Sequence, residues 1–531
     1  MSFDIFKAYD KTSVDFICKV LVKMKFPQCF IGKIKTMHCN INTCFIVGSL
    51  TRKLPVSISL RQGDPSAMPL YLINQEPLLV QIGKGVTGVS LAGFRQKDED
   101  YVDDISALST DTKDLLYLDQ TFRKFESMSG TVLNRSNKSK IMGLGNWVGR
   151  DVWPLPWLRT EETLKIFGVQ FKPTVKATVV ASWENCLQGF KKCLLSWSSR
   201  MLPTLQQRVF VISTFAMSKL WYLGQILPLP RKTLDELDRL TRKFLWLGRL
   251  EHLPYDELHA PVKEGGLGVP NIQAKCDALF LKQTCRMLHG ETSCRKHLSY
   301  WIGLQLRNYF PDLARGLNAE LTPTYFKHSL SLLKEGFSLE ILSPGDLGLV
   351  KVKSLYWNFL STPPPPRIIS RFPALPWPLI FGRMNSPVLS PASKDLMFII
   401  INNIYPNKKR LNRLNQHPTG NCALCRVQED NIHLFLDCYH TRPVWHYVRN
   451  LIISIKPELR NIPSEHFLRL SFPPTSRENA VIFLVSGFLL YAHERRKEGE
   501  IVSLLKYRGY LRHSYRTYNQ GKHPYLGIIN L

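Results

Sequence analysis

Two adjacent carboxylates, Asp103 and Asp104, interrupt the apolar run from Tyr101 to Leu108. A run of that composition is otherwise a buried strand, and two charges inside it carry a desolvation cost unless they sit at a turn or hold cations. A strand–turn–strand with the pair at its tip meets that demand. Asp4 lies at the end of a second short apolar strand, Ser2 to Phe6. If the two strands are neighbours, Asp4 and Asp103 converge at the separation that bridges two Mg²⁺ ions, which together clamp the attacking and leaving oxygens of a phosphoryl transfer. A purely structural Asp-Asp turn is the alternative reading. Between the two segments lies Arg61-Gln62-Gly63-Asp64-Pro65, where Gly63 lets backbone approach a ligand closely. Leu133 to Lys138 and Leu164 to Val169 follow.

The surrounding pattern sets the fold class. Val14, Ile17, Leu21 and Met24 share one helical face, a second unit rich in Leu and Met runs from Pro65 to Ile82, Leu115 to Met128 reads as another helix, and short apolar runs alternate with them. This predicts an α+β domain over residues 1–175. From Thr174 to Gly248 the character turns helical, with Val209, Ile212, Ala216 and Leu220 on one stripe, then Leu234, Leu237, Phe244 and Leu245 on another. Arg231, Lys232, Arg239, Arg242 and Lys243 decorate the second stripe, as on a solvated face or a polyanion contact. Pro363 to Pro366 predicts an extended connector, because each proline fixes φ and lacks an amide donor.

Across 531 residues, 70 Lys+Arg against 42 Asp+Glu leave a net charge of +28, which asks for a polyanion partner. The longest uncharged apolar run, Ala480 to Ala492, is 13 residues and falls short of the ~20 that a spanning helix needs. Isolated cysteines in apolar surroundings (Cys18, Cys39, Cys193, Cys276) read as reduced thiols of an intracellular chain.

One cysteine group is different. Cys422-x2-Cys425-x7-His433-x4-Cys438 offers four ligands that close a tetrahedral, structural Zn²⁺ site, with His440 as a substitute ligand. Residues 501–531 hold no acid, and Arg508, Arg512 and Arg516 recur every four residues. On a helix they share one face, with Tyr507, Tyr510, Tyr515 and Tyr518 nearby to stack on RNA or DNA; a solvated basic helix is the alternative.

The order of the motifs resembles the reverse transcriptase of LINE-type (non-LTR) retrotransposons. Phe3 to Asp10 is similar to the family's first aspartate motif, Arg61 to Pro65 to its Arg-Gln-Gly-Asp-Pro motif, and Tyr101 to Asp104 to its aromatic-x-Asp-Asp box. Asn134 with Lys138 resembles the lysine motif and Phe167-Gly168 the primer grip. The likeness runs on through Trp197, Arg208, Tyr222, Phe244-Leu245-Trp246 and Gly265 to Gly268, and the Cys-Cys-His-Cys cluster resembles the family's knuckle.

The resemblance implies an RNA-directed DNA polymerase with RNA template, DNA primer and dNTPs as partners, in nucleus or cytoplasm and not at a membrane. It implies Asp4 and Asp103 as Mg²⁺ ligands with Asp104 completing the site. Tyr9 would exclude a 2′-hydroxyl, Arg61, Gln62 and Gly63 would contact template and nucleotide, and Lys138 would sit by the phosphates. The implied order is a partial right-hand palm at 1–175, a helical thumb at 176–270, a helical connecting region at 271–362, a Pro-rich linker at 363–392, a zinc knuckle at 393–445 and a basic tail at 446–531. Only Met1, Ser2 and Phe3 precede Asp4, so the expectation is an N-terminally truncated polymerase without fingers, or a catalytically inactive nucleic-acid-binding protein derived from one.

Overall fold

The computed structural model describes residues 1–38, 41–47, 49–56, 58–61, 63–91, 94–102, 104–136, 138–200, 202, 204–248, 253–290, 293–306, 322–337, 344–360 and 366–520. It is a mixed α+β chain in two compact units. The first comprises Met1–Cys186, Leu223–Pro230 and Leu279–Leu355; the second comprises Leu187–Tyr222, Arg231–Ala278 and Tyr356–Leu531.

In the first unit, β1 (Ser2–Phe6) leads through α1 (Val14–Lys23) and α2 (Gln28–His38) to the long α3 (Ala67–Gly85). The hairpin of β2 (Asp98–Tyr101) and β3 (Asp104–Ala107) follows, then α4 (Lys113–Ser129), β4 (Val132–Leu133), β5 (Lys140–Ile141) and β6 (Arg159–Thr160). These strands form one sheet in the order β6-β5-β1-β3-β2, with β4 also pairing β1. Every pairing is antiparallel except β5 with β6. Period-2 alternation in Ser2–Phe6 turns Phe3 and Ile5 into the core and Asp4 out of it. Phe3 packs on Phe122 of α4 with ring centroids 4.9 Å apart. Ile17, Leu21, Leu70, Tyr71, Leu78 and Ile105 complete the same core. Helix α1 starts where the Ser13 side chain accepts the Phe16 N–H, and α4 ends at Gly130, whose φ of +77° a side chain rarely adopts. The short hairpin of β7 (Leu164–Ile166) and β8 (Val169–Phe171) turns through Phe167 and Gly168 at φ +47° and +82°. That left-handed pair is the turn a two-residue hairpin requires.

The second unit is helical. Residues Glu478–Lys497 form a helix buried over most of its surface (Ala480 to Val485, Phe488, Leu489, Tyr491). Helices Pro391–Ile401, Arg442–Ile455 and Leu504–Gln520 pack around it. The apolar run flagged in the sequence is therefore the centre of a buried core helix, and no helix among the described residues is long and apolar enough to cross a membrane. Residues Arg367–Arg371 and Trp377–Met384, within the stretch expected to be an extended linker, are helical, and Trp377, Ile380 and Phe381 are buried. Apolar residues between the prolines supply burial there, and proline is accommodated at helix starts. Pro363, Pro364 and Pro365 lie outside the described residues. The stripe Leu234, Leu237, Phe244 and Leu245 of Arg231–Leu245 is buried as its spacing predicts.

Candidate active site and metal centre

The register of the sheet sets the first site. Ser2 pairs Ser106, Phe3 pairs Ile105 and Asp4 pairs Asp104 across β1 and β3. Cross-strand partners project to one face, so the two carboxylates share the face away from the core. Like charges directly opposite one another are destabilising and call for cations. Strand β4 pairs Leu133 with Ile5 and so delivers Asn134 beside Asp4. The Asn134 N–H donates to the Asp4 carbonyl at 2.8 Å, and its side-chain amide donates to Asp4 Oδ2 at 3.1 Å. Lys138 Nζ stands 3.6 Å from the same oxygen. The loop is held by Arg135, which bridges Asp119 at 3.2 Å and Glu126 at 2.6 Å on α4. Sequence reasoning singled out Asn134 and Lys138 but not this clamp, because nothing in the local pattern ties residue 135 to residues 119 and 126.

Asp103, Gln62 and Asn137 lie outside the described residues. Val102, between Tyr101 and Asp103, adopts φ +58°, an outlier for a β-branched residue and a local strain beside the carboxylates. Identity alone gives no hint of that strain.

Arg61 and Gly63 reach the same neighbourhood through backbone pairing, because the Leu60 N–H donates to the Tyr9 carbonyl at 2.9 Å. The Tyr9 ring stacks on Tyr71 of α3 at 4.9 Å. Arg61 Nη2 donates to the Met37 carbonyl at 2.7 Å, and Gly63 takes φ +87°. Asp64 accepts both the Ser66 hydroxyl and its N–H, at 2.7 and 2.8 Å, just ahead of α3. The Ser66 hydroxyl, more than any other group, holds that carboxyl below its usual range. His38 is buried nearby with neither ring nitrogen hydrogen-bonded, and burial depresses its pKa ahead of the effects of Arg61 and Asp64.

The second site lies in the other unit. Cys422, Cys425, His433 and Cys438 place one ligand atom each within 4.8 Å of one another. The Cys422 N–H donates to the Val427 carbonyl, and Arg426 turns at φ +57°, which folds the Cys-x2-Cys segment back on itself. His433 opens a π-turn, His433–Asp437, whose closing N–H belongs to Cys438. The Sγ–Sγ distances from Cys438 to Cys422 and to Cys425 are both 3.9 Å. A tetrahedral site with metal–sulfur bonds of about 2.3 Å has sulfur–sulfur edges near 3.8 Å, so the donors fit such an ion. His433 Nε2 is buried without a hydrogen-bond partner. Burial and the neighbouring thiols push Cys438 up to about 12. For Cys422, burial acts upward but the Cys425 N–H and other donors bring the thiol down to about 7. Packed thiols that cannot all ionise together are what a divalent cation stabilises. The cluster could thus hold zinc. His440 is outside the converging set, because Cys438 and His433 already close the π-turn.

Arg508, Arg512 and Arg516 lie exposed on helix Leu504–Gln520. Tyr507 is fully buried, with Tyr510 against Tyr491 at 5.3 Å, so these rings pack the core instead of standing free to stack on bases. Arg508 covers the Tyr447 ring at 4.7 Å.

Comparison with known proteins finds homologues among LINE-type (non-LTR) retrotransposon polyproteins, at low identity over about half of the chain. The chain is 25% identical over 364 residues to the transposon TX1 uncharacterized 149 kDa protein of Xenopus laevis, covering 63% of this chain and 27% of that protein. It is 24% identical over 310 residues to the retrovirus-related Pol polyprotein of the type-1 retrotransposable element R2 of Popillia japonica, covering 55% of this chain and 49% of that one. A third relative, the Pol polyprotein of the type-2 element R2DM of Drosophila melanogaster, is 23% identical over 300 residues, 53% of this chain and 27% of its own. The chain thus spans between a quarter and a half of these relatives. No family model matches it.

Proposed function

We propose that this chain is the reverse transcriptase region of a LINE-type retrotransposon polyprotein, an RNA-directed DNA polymerase that extends a DNA primer on an RNA template with dNTPs. Residues 1–175 are its palm, 176–270 its helical thumb and 393–445 its zinc knuckle. The observation that carries the reading is the register: Asp4 stands directly opposite Asp104, and Asn134 and Lys138 converge on Asp4. Asp4 and Asp103 would hold Mg²⁺ with Asp104 beside them, and the ions would lower the pKa of the primer 3′-hydroxyl and neutralise charge on the phosphates. Asn134 fixes the Asp4 carboxylate by donating to Oδ2, so Oδ1 is the oxygen it presents. Lys138 places a cation where triphosphate charge accumulates. Tyr9, braced on Tyr71, is the surface against which the sugar packs. Arg61, Gln62 and Gly63 contact template and nucleotide, Gly63 through a backbone conformation that other residues rarely adopt. Zn²⁺ in the cysteine cluster is structural, and Arg508, Arg512 and Arg516 add a cationic face for nucleic acid.

A second reading, a catalytically inactive nucleic-acid-binding protein, draws on one observation: Asp4 Oδ2 is already engaged by Asn134 and Lys138. Primer extension on an RNA template separates the two. Template-directed product from the chain and none from Asp103→Ala supports the polymerase. Retained template binding with no product from either supports the second reading.

A further inference from the structure

The second unit contains a basic cleft that neither the carboxylate site nor the cysteine ligands account for. It has a volume of about 460 Å³, and Arg371, Lys409, Arg410, Arg413 and Arg469 line it against a single carboxylate, Asp430. Lys409 faces Asp430 at 3.9 Å and Arg469 faces Glu465 at 3.8 Å. Among the described residues no carboxylate lies within 4 Å of Arg371, Arg410 or Arg413. Arg410 is half-buried, its guanidinium donating to the Asn403 carbonyl at 3.2 Å. Burial first, then the Arg413 charge, lowers its pKa, as expected of cations gathered without a counterion. Such a cluster is costly to hold together unless an anion enters.

The walls add shape. Asn407 caps the helix Lys408–Arg413 by accepting the Arg410 N–H, which fixes where its three cleft-lining cations, Lys409, Arg410 and Arg413, stand. Its side chain donates to Asn431, and Asn431 in turn reaches toward Asn403 at 3.5 Å, so a row of amides lies along the cleft. Opposite, the Phe372 ring is flanked by Arg469 at 4.6 Å and Arg371 at 5.6 Å. Guanidinium planes on an aromatic ring form a platform on which an unstacked base can lie. The volume suits one nucleotide and is too small for a duplex groove contact.

We propose that this cleft binds single-stranded nucleic acid, taking one phosphodiester on Arg410 and Arg413 and the adjoining base between the amide row and the Arg371–Phe372–Arg469 platform. Fluorescence anisotropy of a fluorescein-labelled 12-nucleotide oligo(U) RNA against the full chain, without added Mg²⁺, primer or dNTP, tests it. Because no catalysis is involved, failure here leaves the polymerase reading standing, and failure of primer extension leaves this one standing. Arg410→Gln with Arg413→Gln weakens binding by roughly tenfold for each lost charge-assisted contact. It also lowers the slope of log affinity on log salt by about 0.7 per phosphate contact. Arg371→Gln, at an exposed position, weakens binding without altering the helix Lys408–Arg413. Lys334→Gln, at an exposed position on the helix Thr324–Gly336, is the control. Matched oligo(dT) binding through the same arginines also supports a phosphodiester site. Cleft variants that bind like the wild type, a loss no greater than in the control, or a preference for a 12-base-pair duplex would each overturn the proposal.

Discussion

Replacing Asp104 by asparagine separates what the carboxylate pair does for stability from what it does for function. Asp4 and Asp104 are direct partners across β1 and β3, with their Cα atoms about 5 Å apart as in any antiparallel pair. Two unit charges at that separation repel by about 1 kcal/mol in water and about 3 kcal/mol near a protein surface. The Asp4 side chain keeps 32% of its exposure and is partly offset by Lys138, so the lower end applies. Without divalent ions, Asp104→Asn is therefore expected to stabilise the first unit by about 1 kcal/mol, a rise of roughly 2–4 °C in the melting temperature of a unit this size. Mg²⁺ reverses the order. An ion present at ten times its Kd stabilises the wild type by about 1.4 kcal/mol, and the variant gains little. Thermal melts with and without Mg²⁺ measure both effects. A variant that melts lower than the wild type in the absence of metal, or that gains as much from Mg²⁺, would refute the electrostatic reasoning.

Other perturbations have equally definite outcomes. Atomic absorption on the purified chain should find about one zinc per chain, with Cys438→Ser losing it and lowering the melting temperature of the second unit. Arg383, 1% exposed, donates to the Leu470 and Phe472 carbonyls at 2.7 and 2.6 Å and to Glu478 at 2.7 Å. Arg383→Met leaves those acceptors and a carboxylate without a partner and should cost about 3–5 kcal/mol by urea unfolding. His493 accepts from or donates to the Tyr405 hydroxyl at 2.9 Å, and burial, then Lys497 and Arg496, lowers it to about 4. The unfolded chain binds the extra proton between that value and the ordinary 6.5, so stability rises with pH across this window and is complete above it. The rise is roughly 2 kcal/mol for a side chain still partly in contact with solvent. His493→Gln should flatten the curve, and an unchanged pH profile would count against the assignment.

Local periodicity exposed much of this molecule. The alternation Phe3-Asp4-Ile5 was enough to turn Asp4 away from the core, and the helical faces at 14–23, 113–129 and 231–245 follow from apolar spacing. The ligand spacing of the cysteine cluster likewise anticipated that Cys422, Cys425, His433 and Cys438 come together, because turn geometry over so few residues is local. Long-range pairing was less legible. Sequence placed Asp4 near the Asp103–Asp104 pair without fixing which residue stands opposite which, and the register answers with Asp104. The Arg135 clamp joins residues that the pattern gives no reason to connect. Burial misled at two points. The tyrosines of the C-terminal helix looked like stacking groups, yet Tyr507 is core, and the proline-rich stretch carries buried Trp377 and Phe381. In both cases tertiary packing decided what composition suggested otherwise.

The central claim is that Asp4 and its partners hold the ions for RNA-templated addition of a dNTP. The most direct measurement is the rate of single-nucleotide addition to a DNA primer annealed to RNA, followed as a function of Mg²⁺ concentration. Two bound ions predict a rate that rises more steeply than first order in Mg²⁺, and Asp4→Asn should abolish it at every concentration. Addition that proceeds without divalent ions, or that survives Asp4→Asn undiminished, would contradict the assignment of this face of the sheet as the catalytic site.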